Sequence, residues 1–206
     1  MKKNILKYIV IILAIIVILL IANNIRNYMI ISKMINTEMQ TRKLECNNYY
    51  HQILVREHNS QKLFAVTEEF LLGDKYEKRT YFVGKLQVSQ VNVTTEEVEK
   101  DGYSSISSDD AINVIKERIK EGFYLVDDNL LKEILGNYII KPIILKNNYY
   151  VVEFKYANET IYINKDSYLI EMVKQNDTVQ TRLLNVVTEN DFIEQDTSEY
   201  QFQNSN

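Results

Sequence analysis

From Ile5 to Ala22 the chain runs through eighteen consecutive residues of which only Lys7 is neither apolar nor aromatic. At about 1.5 Å per helical residue this run reaches roughly 27 Å, close to the thickness of a hydrocarbon core, and it predicts a transmembrane helix. Lys7 lies near one end, where its ammonium can snorkel to the interface. Lys2 and Lys3 precede the run, which favours a cytoplasmic N-terminus and an extracytoplasmic C-terminal domain at the cell membrane, in a single-pass arrangement. A cleaved signal peptide is the competing reading, because a charged start and an apolar run are common to both. Leu20-Ile21-Ala22 offers only one of the two small residues that a cleavage site wants. Cys46, which follows Arg42-Lys43-Leu44-Glu45, is too far from the run to be a lipidation site.

The rest of the 206 residues have room for one further domain of ordinary size. An apolar share of 46% and a charged share of 25% suit a globular core. The formal charge of −4 leaves no basic surplus for phosphates, so nucleic acid is not an expected partner. A single cysteine allows neither an internal disulfide nor a multi-cysteine zinc site, so the ectodomain must stand on packing.

Past the bilayer, Ile25, Tyr28, Met29, Ile31, Ile35 and Met39 recur at spacings of three and four, which predicts an amphipathic continuation of the helix to about Leu44. That stripe is expected to pack on the domain's own sheet, with dimerisation as the alternative. After Asn47-Asn48 come short runs rich in β-branched and aromatic residues: Tyr49 to Arg56, Lys62 to Leu72, Tyr76 to Val83 and Leu86 to Val93. Ser107-Ser108-Asp109-Asp110 then opens a helix whose apolar face is Ala111, Ile112, Ile115 and Ile119. A second short helix is expected from Asp128 to Leu135, stopped by Gly136. Strands resume at Tyr138 to Lys146, interrupted by Pro142, and continue at Tyr149 to Ala157, Thr160 to Asn164, Leu169 to Lys174 and Thr178 to Val187. Asn147-Asn148, Asn158-Glu159, Asn164 to Ser167 and Gln175 to Asp177 are their connections by residue type. Glu189 to Phe192 reads as one helical turn. The expected division is a cytoplasmic stub at 1–4, too short for an output domain, the transmembrane helix at 5–22, a juxtamembrane helix at 23–45, a β-rich domain at 46–200 and a frayed tail at 201–206.

Strand alternation puts Phe64, Val66 and Phe70 on one side of their strand and Tyr150, Val152, Phe154 and Tyr156 on one side of theirs. The two stripes point to one apolar surface, either a ligand-binding face or a core filled by the helices.

A long amphipathic helix, a meander, two small helices and a second meander resemble the element order of the outer-membrane lipoprotein carrier (LolA-like) fold family, in its membrane-anchored Gram-positive type. Ile161-Tyr162-Ile163-Asn164-Lys165-Asp166-Ser167-Tyr168-Leu169-Ile170 is similar to the family's strand, turn and strand. Asn185 to Phe192, followed by Ser198-Glu199-Tyr200, resembles its closing strand and terminal turn. The resemblance implies an α+β fold in which an antiparallel, incomplete β-barrel wraps around helices. It also implies a concave apolar face for acyl chains, and a latch arginine for which Arg56 and Arg79 are candidates.

Nothing in the sequence adds catalytic chemistry. There is no Gly-rich phosphate loop, Cys-x-x-Cys pair or His-Glu-x-x-His motif. His51 and His58 lie seven residues apart, over about 20 Å in an extended strand, so they read as surface or turn residues and not as metal ligands. Glu68 and Glu69 fall on opposite strand faces, Asp109-Asp110 and Asp127-Asp128 read as acids at helix starts, and Glu96-Glu97 with Glu99 reads as a solvated connection. The chain is therefore expected to be no enzyme and to need no cofactor or metal. The leading functional expectation is a membrane-anchored extracytoplasmic domain that holds a lipid, a lipoprotein or another apolar ligand. The alternative is an envelope-sensing or protein-interaction module that acts through a separate membrane or cell-wall protein.

Overall fold

A computed structural model describes residues 2–44, 46–57, 62–82, 85–92, 95–99, 108–121, 134, 136, 138, 141–154 and 158–192. The fold is α+β: an N-terminal apolar helix, antiparallel strands and a second helix. Contacts divide the chain into two compact units, one of Met1–Gln40 with Leu125–Ile170 and one of Thr41–Tyr124 with Glu171–Asn206.

Helix α1, Lys2–Thr41, runs without a break at Ala22 and ends a turn short of the expected Leu44. It is long and apolar enough to cross a membrane, and its most apolar stretch buries nothing against the protein. From Asn27 onward the helix changes role. Asn27, Ile30, Ile31, Met34, Ile35 and Glu38 are buried, at spacings of three and four. The expected stripe is thus corrected: Ile31 and Ile35 belong to the buried face, while Ile25, Tyr28, Met29 and Met39 are exposed. The face is set by two polar side chains that a hydrophobic pattern does not score. Asn27 Nδ2 donates to the carbonyls of Tyr138 and Lys141 at 3.0 and 3.1 Å, and its Oδ1 accepts from the Ile143 amide at 3.1 Å. Glu38 Oε1 accepts from the Ile170 amide at 2.7 Å.

The same unit holds strands β6 (Ile144–Lys146), β7 (Tyr149–Phe154) and β8 (Glu159–Asn164), in the order β8-β7-β6. Pro142 does not interrupt a strand; it precedes β6, where its missing N–H takes nothing from the ladder. Asn147 and Asn148 both adopt positive φ in the two-residue β6–β7 loop, the geometry such loops require and asparagine tolerates. Of the expected helix 128–135 only Ile134 lies among the described residues, and the helical geometry continues through Gly136, because the Tyr138 amide donates to the Ile134 carbonyl at 3.0 Å. The glycine does not stop it. Tyr168 holds a φ of 61°, uncommon for so bulky a residue, with Lys33 Nζ 4.0 Å over its ring and the Tyr150 ring 5.8 Å away.

The second unit contains β1 (Asn48–Arg56), β2 (Leu63–Leu72), β3 (Lys75–Phe82), β4 (Lys85–Asn92), β5 (Thr95–Glu99), helix α2 (Ser108–Glu121), β9 (Ile170–Gln175, whose first residue belongs to the first unit) and β10 (Thr178–Leu184). Its strands run in the order β5-β4-β3-β2-β1-β10-β9. Gly73, at a φ of 62°, makes the two-residue β2–β3 loop and thereby fixes Leu72 opposite Lys75. Strand β5 corrects the reading of Glu96, Glu97 and Glu99 as a loop: all three lie in the strand despite their low strand propensity, and β5 pairs with β4 through Thr95, Val98 and Glu99. Helix α2 buries Ile112, Ile115 and Ile119 against Tyr49, Leu71 and Tyr76, with Cys46 and Leu184 at the margin. Each such isoleucine contributes roughly 2 kcal/mol of burial. Past β10, Asn48 pairs with the main chain of Val187 in both directions, at 2.8 and 2.9 Å, which leads the chain into a 3-10 turn at Glu189–Asp191.

Candidate functional site

Strand β2 carries different chemistry on its two faces, and the pairing register assembles each. Tyr50 and Glu77 stand opposite Phe70, Gln52 and Arg79 opposite Glu68, and Leu54 and Tyr81 opposite Val66. On the other face His51 stands opposite Glu69 and Tyr76 opposite Leu71. Glu68 and Glu69 therefore point apart, as alternation requires.

The α2 side holds a polar quartet beside the isoleucine cluster. His51 Nδ1 donates to Glu69 Oε2 at 3.0 Å, and the Tyr76 hydroxyl and Arg118 Nη2 donate to Oε1 at 2.8 Å each. Arg118 also donates to the Tyr76 oxygen at 3.2 Å. Burial pushes the Glu69 carboxyl up, but the His51 hydrogen bond, the Arg118 charge and the Tyr76 hydroxyl outweigh it and bring the carboxyl down to about 2. Tyr76 moves the opposite way: burial and the neighbouring Glu69 charge raise its phenol. At neutral pH the carboxylate stays ionised and the phenol stays a donor. Such a pair suits tying α2 to β2 better than it suits exchanging protons with a substrate. His51 is thereby corrected from a surface residue to a buried one, and His58 lies outside the described residues.

The opposite face joins aromatics to a second set of charges. Tyr50 and Gln52 donate to Glu68 at 2.7 and 3.1 Å. Arg79 pairs with the fully buried Glu77, lies 4.4 Å over the Phe70 ring and donates to the Asp191 carbonyl. Phe192 adds its ring 6.4 Å from Phe70, and Lys75 meets Glu189 at 2.5 Å, so the 3-10 turn straps this face. Burial first, and then the Glu68 hydrogen bond, raises the Tyr50 phenol. Among the described residues the strap leaves the far end of the strands uncovered, where Phe64 and Tyr81 are exposed and Val66 is half-buried.

The expected ligand stripes are placed as follows. On β2, Val66 and Phe70 share the face away from α2, and Phe70 is buried under Arg79 and Phe192, whereas Phe64 is exposed and falls at a shift in the β1–β2 register, between Leu63 opposite Arg56 and Ala65 opposite Val55. Tyr150, Val152 and Phe154 stand on β7 in the other unit; Val152 and Phe154 are buried, and Tyr150 stacks near Tyr168. Tyr156 lies outside the described residues. Of the two latch candidates, Arg79 forms the pairings just described, and Arg56 sits at the end of β1, where its amide donates to the Asp177 carbonyl.

The quartet was not read from sequence. Its one available signal was Gly73-Asp74, which sets Glu69 and Tyr76 on a common face two strands wide. No protein-family profile, curated protein or solved structure matches the chain.

Proposed function

We propose that this chain is a membrane-anchored extracytoplasmic binding module that receives an apolar group, of the acyl-chain kind, on the open end of the β1–β2–β3 face around Phe64, Val66 and Tyr81. The observation that carries the reading is the double use of α1. Its leading half is apolar and exposed, and its trailing half is built into a folded unit through the buried Asn27 and Glu38. A helix so divided works as a permanent tether. Lys2 and Lys3 favour the cytoplasm for the leading end, which sends the strands outside. The LolA-like element order supplies the ligand class, with the half-barrel and its apolar face taken from that resemblance. Exposed Phe64 and Tyr81 beside Val66 provide apolar area, from which affinity at such a face derives.

Two measurements test it on the full-length protein. In intact cells, a cysteine introduced by Asp166→Cys in a Cys46→Ser background should react with a membrane-impermeant maleimide; protection until lysis removes the orientation. In proteoliposomes, a photoactivatable fatty acid should crosslink to peptides within 63–81 as well as to α1. Label confined to α1 removes the ligand and leaves only the tether.

A further inference from the structure

Four residues past Ala22, α1 begins to bind its own domain, and the segment it grips lies close to the end of the apolar run. Arg26 Nη1 donates to the Ile143 carbonyl at 2.9 Å, one residue before the three contacts of Asn27 with Tyr138, Lys141 and Ile143. Four helical residues rise about 6 Å. The headgroup layer on each side of a hydrocarbon core is about 5–7 Å deep. With Ile5–Ala22 in the core, the chain around Ile143 therefore stands among headgroups.

The surface at that height has the composition of an interface. Ile144 and Leu145 are 53% and 50% exposed on the edge strand β6, where a water-facing protein places charge or proline to blunt pairing. Lys141 and Lys146 flank them, Lys141 also meeting Glu153 at 3.0 Å. On α1, Tyr28 and Met29 are exposed although the buried face of the helix has already turned toward Asn27 and Ile30. Side chains on a helix lean toward its N-terminus, so these two lean toward the bilayer. Tyrosine with apolar neighbours and flanking lysines is the pattern of an interfacial belt.

We infer that β6, through Ile144 and Leu145, together with Tyr28 and Met29 of α1, forms a foot that rests in the headgroup layer of a phospholipid surface. The inference rests on anchoring by α1. The foot is a second contact with the same bilayer, it fixes the angle at which the domain leaves the membrane, and it accounts for an exposed apolar edge and an exposed apolar helix face with one partner. The lysines select anionic headgroups.

The chain has no tryptophan, so single tryptophans report one site each. Full-length Ile144→Trp, Leu13→Trp and Asp166→Trp variants are reconstituted into anionic phospholipid vesicles that carry a spin label either near the glycerol or deep in the acyl chain; Leu145→Trp replaces Ile144→Trp if the latter does not fold. Ile144→Trp should be quenched several-fold more by the shallow label than by the deep one, Leu13→Trp most by the deep label, and Asp166→Trp, on the turn beside Lys165, by neither. Quenching of Leu13→Trp with none of Ile144→Trp overturns the foot and leaves the anchor. A blue-shifted but unquenched Ile144→Trp overturns it in favour of a protein-covered edge. Absence of quenching at Leu13→Trp overturns both.

Discussion

Asn27 and Glu69 are both buried polar residues that tie a helix to its surroundings, but they do so with opposite chemistry. Asn27 is neutral, sits on the helix and among the described residues bonds main-chain groups, satisfying its amide in both senses. Glu69 is charged, sits on a strand and collects donors from three side chains, one of them Arg118 on α2. The first device is indifferent to pH and specifies position, because carbonyls 138 and 141 and amide 143 accept no other geometry. The second is strong only while the carboxylate is ionised. The tie of α1 at Asn27 is thus a fixed peg, and α2 rests on isoleucine burial supplemented by a titratable pin.

Removing the peg should give the largest effect. Asn27→Ala strands one buried carbonyl and one buried amide, at about 1–3 kcal/mol apiece when left unmade, together with a part-buried carbonyl that water can reach, and a net loss of about 3 kcal/mol is expected. Hydrogen exchange on the full-length protein should show amides 143–146 opening at all pH values, with helix α2 unchanged. Retained protection there would break the contrast at its root.

Acid should act on the pin and not on the peg. Glu69 has its carboxyl near 2 in the folded protein against an ordinary 4.5, so the unfolded chain binds more protons between those values. The stabilisation is fully present above about 4.5 and is lost as pH falls through about 2. Two and a half pH units correspond to about 3 kcal/mol. Exchange protection of α2 amides should fall over that window in the native chain, and Glu69→Gln should start lower by about 2–3 kcal/mol and show no slope. An equal slope in the variant would assign the acid sensitivity to another group.

These two residues also mark where the sequence could be read and where it could not. The apolar run, the isoleucine face of α2 and the asparagine loops of the hairpins are local signals, carried within a few residues, and each is legible. Gly73-Asp74 is a two-residue connection and so discloses the β2–β3 register. The β1–β2 connection is longer and includes a shift between Val55 and Arg56, so nothing local places His51 across from Glu69. Asn27 finds its partners more than a hundred residues away, and hydrophobic periodicity treats it as an interruption of a stripe when it is the centre of the buried face. The proposed apolar face was half visible for the same reason. Alternation groups Val66 with Phe70, but only the fold shows the register shift beside Phe64, and Phe70 covered by Arg79 and Phe192 while Phe64 stays exposed.

Arg118→Lys sharpens the contrast at the smallest scale. The Arg118 side chain is about half exposed, so water screens its charge and the pair with Glu69 is worth about 0.5–1 kcal/mol. Lysine keeps a charge near Glu69 but on a side chain one bond shorter and without the planar guanidinium, one nitrogen of which reaches the carboxylate and the Tyr76 oxygen here at 2.8 and 3.2 Å. A loss of about 0.5 kcal/mol in α2 protection, with the acid window only slightly narrowed, is expected if charge dominates the pin. A loss as large as that of Glu69→Gln would mean instead that hydrogen-bond direction dominates, and the pin would then resemble Asn27 in kind: a geometric specifier that happens to carry a charge.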